Sequence, residues 1–334
     1  MRRMEKVLVT GGAGFIGSHL AEELARRGYH VIILDDLSSG KLENIGPLLG
    51  KDNAEFIQGS ITDPPLLQKL FQGIDYVFHQ AAIPSVPRSI ENPSASHEAN
   101  ITGTMNVLLA ARDNGVSKVI YASSSSVYGD TPTLPKKEDM PPNPQSPYAV
   151  TKLAGEYYCR VFQEVYGLPT ACLRYFNVYG PRQDPNSQYA AVIPKFIQRV
   201  SEGKPPIIFG DGEQTRDFTF IKDVVEANIL AAESDATGVF NIARGESISI
   251  NQLAQLILNL SKNSVKRKIP YNSPSPSGRE LEGGGLQPIH EEPRLGDIKH
   301  SLADISKAKT FGYKPRYSLE EGLGETMRGF QHEI

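Results

Sequence analysis

The sequence predicts an α/β protein built on a Rossmann-type, doubly wound parallel sheet, with a smaller mixed α/β lobe toward the C-terminus. Short β-branched runs alternate with helical patterns through the first half of the chain. A glycine-rich turn joins the first run to the first helical stretch, and an acidic residue closes the second run. Strands are expected at 7–10, 30–34, 54–58, 75–79, 118–123 and 169–175, with helices at 15–27, 64–71, 94–114 and 148–166. Gly28, Gly73, Gly115 and Gly167 stand where these helices end, the usual C-terminal place for glycine. After about residue 178 proline and glycine loosen the pattern, and helices resume at 221–233 and 250–262. The expected division is therefore 1–178 and 179–334, the second part covering the carboxyl ends of the strands, with some of its strands or helices free to return to the first. Residues 272–293, dense in Pro, Ser and Gly, are expected to form a long loop.

Composition excludes several classes of function. Hydrophobic residues at 39% and charged residues at 22% match a soluble globular chain. A net charge of −3, with no basic stripe, gives no sign of a nucleic-acid partner. The first apolar run is too short for a signal peptide, and nothing approaches the ~20 apolar residues of a membrane span, so a soluble, cytoplasmic protein is expected. Cys159 and Cys172 lack the spacing of a zinc site or a redox pair and are expected to be buried thiols; no metal site is expected.

The first strand runs into Gly11-Gly12-Ala13-Gly14-Phe15-Ile16-Gly17, where a helix begins. Missing side chains let backbone amides approach a pyrophosphate, and a helix N-terminus favours its charge. Asp35 lies 18 residues beyond Gly17, near the spacing of a carboxylate that holds an adenosine ribose. A carboxylate accepts hydrogen bonds from a ribose diol and repels a 2′-phosphate, so NAD is expected rather than NADP. Asp35-Asp36 also reads as a simple turn, and Lys41 as a solvated loop lysine.

Tyr148-Ala149-Val150-Thr151-Lys152 opens the helix after the fifth strand and places a phenol and an ammonium on one helix face. A free tyrosine has a pKa near 10, and lowering it by roughly 3 units takes about 4 kcal/mol of preferential phenolate stabilisation. A lysine and a cationic nicotinamide ring are suited to supply it. By itself such a pair is an ordinary surface feature; its place after a dinucleotide-binding unit makes it a candidate base. Ser123-Ser124-Ser125-Ser126, at the end of the fifth strand, offers hydroxyls that can hydrogen-bond a sugar oxygen and relay its proton.

With His79-Gln80-Ala81-Ala82, Asn100, the run Arg174-Tyr175-Phe176-Asn177-Val178-Tyr179-Gly180, and Arg294 with Gly296-Asp297, these elements resemble the extended short-chain dehydrogenase/reductases, and among them the UDP-hexose 4-epimerases, over nearly the whole chain. The resemblance implies that Ser124 hydrogen-bonds the sugar 4-oxygen, with Ser125 able to substitute. Tyr148 would be the base, and Lys152 would bind the nicotinamide ribose and stabilise the phenolate. Asn177, Arg216 and Arg294 would meet the diphosphate, and Asp297 the uridine ribose. Further cofactor contacts are implied at Gly11, Gly14, Phe15, Ile16, Gly17, Asp35, Asp36, Ser60, Ile61, Ala81, Ala82, Asn100, Ser123 and Tyr175. Further UDP-sugar contacts are implied at Ser85, Val86, Ala191, Val192, Phe209 and Ser301. A homodimer through helices 94–114 and 148–166 is likewise implied. Many relatives place an aspartate after the third strand to touch the adenine; here Gly59-Ser60-Ile61 stands there, and Ser60 can still hydrogen-bond.

Sugar-nucleotide dehydratases carry an Asp-Glu pair directly after the catalytic hydroxyl, and UDP-glucuronate decarboxylases a glutamate; this chain has Ser125-Ser126. Epimerisation is therefore favoured over those reactions and over a silent nucleotide sensor on the same fold. UDP-glucuronate 4-epimerases carry threonine and arginine where this chain has Asn177 and Asp184, and an aspartate would repel the sugar's carboxylate. The run from Gly180 to Pro194 is similar to epimerases that prefer N-acetylated UDP-hexosamines. Ser301, small where a tyrosine would fill the space of an acetamido group, points the same way; it also reads as the cap of a helix beginning near Ala303.

Overall fold

The computed structural model describes residues 4–185, 191–268, 286–293 and 299–332. In chain order the first half runs β1 (Lys6–Thr10), α1 (Phe15–Arg26), β2 (His30–Asp35), β3 (Ala54–Gln58), α2 (Pro64–Leu70), β4 (Tyr76–His79), α3 (Val86–Glu91), α4 (Pro93–His97), α5 (Gly103–Asp113), β5 (Lys118–Ser124), α6 (Pro147–Tyr166) and β6 (Thr170–Tyr175). There follow β7 (Val178–Tyr179), α7 (Val192–Ser201), β8 (Ile207–Phe209), β9 (Thr215–Arg216), β10 (Thr219–Phe220), α8 (Ile221–Glu233), β11 (Gly238–Ile242), β12 (Ile248–Ser249), α9 (Ile250–Lys268), β13 (Ile289–Glu291), α10 (Ser306–Lys309) and α11 (Leu319–His332).

The central sheet has the order β11-β6-β5-β4-β1-β2-β3, with every pair parallel. Strand alternation divides its side chains between two cores. Val7, Val9, Ile33, Phe78 and Ile120 pack on one face, with Leu20 and Leu24 of α1 and Ile229 of α8. Leu8, Leu34, Val77, Val119 and Tyr121 pack on the other, with Leu108 of α5 and Phe162 of α6. Both faces are covered by helices, which is why the strands read as near-continuous apolar runs. The sheet reverses direction of travel at β1 and β4, and ligands of such sheets bind outside the strand ends at that point.

The expected helix over 94–114 is formed by α4 and α5 joined through a wide π-turn, Glu98–Thr102, which carries Asn100. All four expected helix-ending glycines take positive φ, Gly167 as the left-handed cap of α6. Two features differ from expectation. The seventh strand, β11, was not expected: Val239-Phe240-Asn241-Ile242 is too short and too remote from the first six to be distinguished from loop. As the expected division allowed, through α8 and β11 the chain after residue 178 returns to the sheet beside α1 and β6. The loop expected over 272–293 contains β13, which pairs in parallel with β8; residues 272–285 lie outside the described part. No helix among the described residues is long and apolar enough to cross a membrane.

Candidate functional site

The glycine turn divides its work. A Cβ on Gly17 would lie 2.1 Å from the Gly11 carbonyl oxygen, and one on Gly11 would lie 2.7 Å from Ala81, so these two are glycine because backbone packs on backbone. Gly14 faces more open space and is the N-terminal cap residue of α1, with no side chain capping the first turn. The amides of Phe15 and Ile16 begin that turn, and no acidic residue competes for them. Asp35 ends β2 with its carboxylate accepting from the N–H groups of Ala13 (2.9 Å) and Leu37 (2.8 Å), so it also shapes the turn. Burial pushes its carboxyl up against the pull of these amides. An uncapped helix start beside a ribose-spaced carboxylate fits a dinucleotide pyrophosphate and its adenosine. Asp36 is exposed and accepts from Ser38 N–H at 2.9 Å. Ser60 shares a hydrogen bond with Thr62 at 2.8 Å, and Ile61 packs where Gly103 lets α5 come close. Asn100 clamps the loop beyond Ala81 and Ala82: it accepts from Ile83 N–H at 2.8 Å and donates to the Thr151 hydroxyl at 3.1 Å.

Helix α6 starts at Ser146, whose hydroxyl accepts from Ala149 N–H, a cap worth about 1 kcal/mol, with Pro147 in the first turn. Gly155 lets α6 lie against β5, since a Cβ there would be 2.2 Å from the Tyr121 hydroxyl. That close approach brings the Lys152 ammonium to the Ala122 carbonyl at 2.7 Å, 5.9 Å from the centre of the Tyr148 ring. Burial lowers Lys152 to about 8. At Tyr148 burial pushes the phenol up, and the hydrogen bond from Ser124 opposes this.

Tyr148 and Ser124 open on a cavity of about 1140 Å³, larger than the ~300–1,000 Å³ typical of small-ligand pockets. All ten of the described residues expected to meet a UDP-sugar line it. Ser85, Val86 and Ser124 form one end with Tyr148; Asn177 and Ser301 come from separate segments; Ala191, Val192, Phe209 and Arg216 line the remainder. Arg294 and Asp297 lie outside the described residues. The charged or titratable described lining residues include Lys136, Lys195, Arg199, Arg216 and His300, and no Asp or Glu. Two hydroxyls on the wall, Ser85 and Ser126, are buried without a hydrogen-bond partner, a cost of ~1–3 kcal/mol each that a polyhydroxylated ligand can relieve. Ser85 also holds φ +90°, and Asn177 φ +33°, strained backbone of the kind found at binding sites.

Sequence reasoning missed Ser126, Lys136 and His300. Ser126 was legible as part of the serine run, but Lys136 and His300 reach the wall through loops that no motif marks.

The structure places four further expected residues. Ser123, on the opposite side of β5 from Ser124, donates its hydroxyl to Glu156, which also takes Arg174 at 2.8 and 2.7 Å. Tyr175 likewise spends its hydroxyl inside, donating to Asn228 at 3.0 Å. Asp184 is not among the described residues that line the cavity; its carboxylate lies 3.8 Å from the Lys41 ammonium, and both side chains stay exposed, Lys41 as the solvated loop lysine expected. Finally, Ser301 caps no helix. Ala303 bridges to Lys136, and the next helix, α10, starts only at Ser306, where Asp304 accepts its N–H at 2.8 Å.

Comparison with known proteins agrees with this geometry. The model of the "NAD dependent epimerase/dehydratase family" matches residues 7–243. The chain is 40% identical over 319 residues, 95% of each chain, to a putative UDP-glucose 4-epimerase of Methanocaldococcus jannaschii. Among solved structures it is similar to a UDP-N-acetylglucosamine 4-epimerase from Methanobrevibacter ruminantium in complex with UDP-N-acetylmuramic acid, with TM-score 0.89, 43% identity and 99% of each chain covered. A UDP-glucose 4-epimerase from Thermotoga maritima with UDP-glucose gives TM-score 0.87 and 39% identity over 98% of this chain and 99% of that one.

Proposed function

The chain belongs to the NAD dependent epimerase/dehydratase family, and on that premise we propose that it inverts C4 of a UDP-linked hexose, with UDP-N-acetylglucosamine and UDP-N-acetylgalactosamine as the preferred pair. The observation that carries this reading is Ser124 and Tyr148, backed by Lys152, on the wall of a cation-lined cavity whose positions 125 and 126 are serine. A dehydratase or decarboxylase needs an acid there. UDP-glucose and UDP-galactose are expected to react with equal or lower efficiency.

NAD is the cofactor; held at the glycine turn and by Asp35, it would supply the acceptor and donor of the C4 hydride and a positive ring that favours the Tyr148 phenolate. Tyr148 removes the C4 hydroxyl proton while Ser124 hydrogen-bonds the same oxygen. Lys152, held by the Ala122 carbonyl, keeps positive charge beneath the phenolate. The sugar, now a 4-ketone, turns about its bond to the diphosphate and presents its other face, and Tyr148 gives the proton back. Arg216 and Asn177 hold the UDP half, so binding energy is spent away from the part that must turn.

The test is incubation of the purified protein with UDP-N-acetylglucosamine, UDP-glucose, UDP-glucuronate and their C4 epimers, read by chromatography. The expected result is C4 interconversion, fastest for the N-acetylated pair, without consumption of added NAD, and NAD released from the denatured protein. Carbon dioxide release or a 4-keto-6-deoxy product would replace this reading with decarboxylation or dehydration.

The same reading includes a homodimer. Val150, Tyr157, Val161 and Val165 form one stripe on α6 at spacings of 7, 4 and 4 residues, each at least 40% exposed. Such a stripe on an otherwise well-packed chain suits a second copy across a two-fold axis. Wild type is expected to sediment at twice the chain mass and a Val161→Asp/Val165→Asp variant at the chain mass; a monomeric wild type would remove this part of the proposal.

A further inference from the structure

Asp217 is wholly buried, and no step above uses it. Three stretches of cavity wall meet on it. Its Oδ1 accepts from Arg244 N–H at 3.0 Å, and its Oδ2 from the N–H groups of Gly245 and Ala303 at 3.0 and 3.2 Å. Its backbone carbonyl accepts from the Asn177 side-chain amide at 2.9 Å, and Asn177 is the residue held at φ +33°. Its chain neighbours Arg216 and Phe218 both line the cavity, as does Ser301, two residues before Ala303.

Segment 299–303 lies beside 215–217 like a short parallel strand. Thr215 N–H donates to the Lys299 carbonyl at 3.0 Å, and Ser301 N–H to the Thr215 carbonyl at 3.1 Å. Ala303, the next residue of that alternation, gives its N–H to the Asp217 carboxylate instead of to backbone. On the other flank Lys136 N–H donates to the Leu302 carbonyl at 2.7 Å, and Asp304 N–H to the Lys136 carbonyl at 2.9 Å. The lateral position of Ser301 is thus set by a ladder whose last rung is a side chain. Three amides converge on two oxygens, a task for a carboxylate: asparagine would accept on one oxygen and turn an amide N–H2 against the remaining donors. Among the described residues no lysine or arginine forms an ion pair with Asp217; the nearby Arg244 guanidinium pairs with Glu246 at 2.9 Å. Burial pushes the Asp217 carboxyl up to about 7, and the three amides, foremost that of Ala303, pull the other way.

We infer that Asp217 is a positioning residue, a clasp that holds Asn177, Arg216 and Ser301 in the register in which they meet the UDP-hexose. This rests on the UDP-sugar reading of the cavity. Asp223 supplies a matched control: it too is a buried carboxylate, accepting from Arg316 N–H at 2.8 Å and Tyr317 N–H at 3.4 Å, but it lines no part of the cavity.

The experiment compares wild type, Asp217→Asn and Asp223→Asn by thermal melting, NAD content, calorimetric titration with UDP-N-acetylglucosamine, and steady-state kinetics. Both variants are expected to melt earlier and keep NAD, but only Asp217→Asn should raise the KM and the Kd, by roughly tenfold or more, with kcat changed less than about threefold. A KM within about twofold of wild type, or an equal rise in Asp223→Asn, would reduce Asp217 to a fold-stabilising group and overturn the inference. Should Asp217→Asn not fold, Asp217→Glu keeps the charge and moves it by one methylene; a raised KM supports the clasp and an unchanged one overturns it. A wild type that binds no UDP-sugar would overturn the cavity reading and the clasp together, whereas a wild type and Asp217→Asn that bind equally overturn the clasp alone.

Discussion

Tyr148→Phe is expected to lower turnover of every accepted UDP-sugar by about 10²- to 10⁴-fold, the usual worth of a positioned acid or base, while NAD content and melting temperature stay near wild type. The substitution deletes one oxygen and little else. Tyr148 anchors its turn through backbone groups, its N–H donating to Ser89 at 3.0 Å and its carbonyl accepting from Thr151 at 2.8 Å, and phenylalanine keeps both. Lys152 stays on the Ala122 carbonyl, so the charge beneath the site is undisturbed. Ser124 loses the phenol it hydrogen-bonds, but its hydroxyl still accepts from Ser126 N–H at 3.1 Å, which keeps the turn in shape. The loss should fall on kcat, because the phenol acts on the reacting hydroxyl and not on the UDP half. A purified Tyr148→Phe protein that kept most of the wild-type rate would show that the proton leaves by another route.

Ser301→Tyr is expected to abolish turnover of the N-acetylated pair while the plain hexoses are largely spared. The position is a side-chain choice on an independent backbone: Ser301 N–H is committed to the Thr215 carbonyl, so a tyrosine keeps the ladder and only adds volume to the cavity. Overpacking costs about 1–3 kcal/mol or more, which is ~5- to 150-fold or more in the discrimination between a sugar that needs the space and one that does not. The measurement is kcat/KM for both pairs in wild type and variant. Equal slowing of all four sugars would mean that the tyrosine distorts the whole wall, and an unaffected N-acetylated pair would place the acetamido group elsewhere.

Much of the fold was legible because it depends on local signals. Each of the six expected strands is present within a residue or two, since a buried parallel strand is a continuous apolar run and its helices end on glycine. The glycine turn, Asp35 and the Tyr148 and Lys152 pair are likewise short-range patterns, given their meaning by the strands and helices on either side. Where local pattern is weak, reading failed: β11 and β13 are three to five residues long and are strands only because an existing strand edge accepts them.

The sequence by itself determined six of the seven strands of the sheet, the cofactor turn and the candidate proton-transfer residues, because helix periodicity and strand alternation dictate which side chains share a face. Only the tertiary structure decided which hydroxyls are available. Ser123 and Ser124 are chemically alike, but the pleat sends the first to a buried glutamate and the second to the cavity. Tertiary structure alone also brought Asp184 to Lys41, and gathered Asn177, Arg216 and Ser301 around one buried aspartate, Asp217. Those contacts join residues some forty to more than a hundred positions apart, and no periodic signal along a chain encodes them; packing and hydrogen-bond satisfaction in three dimensions do.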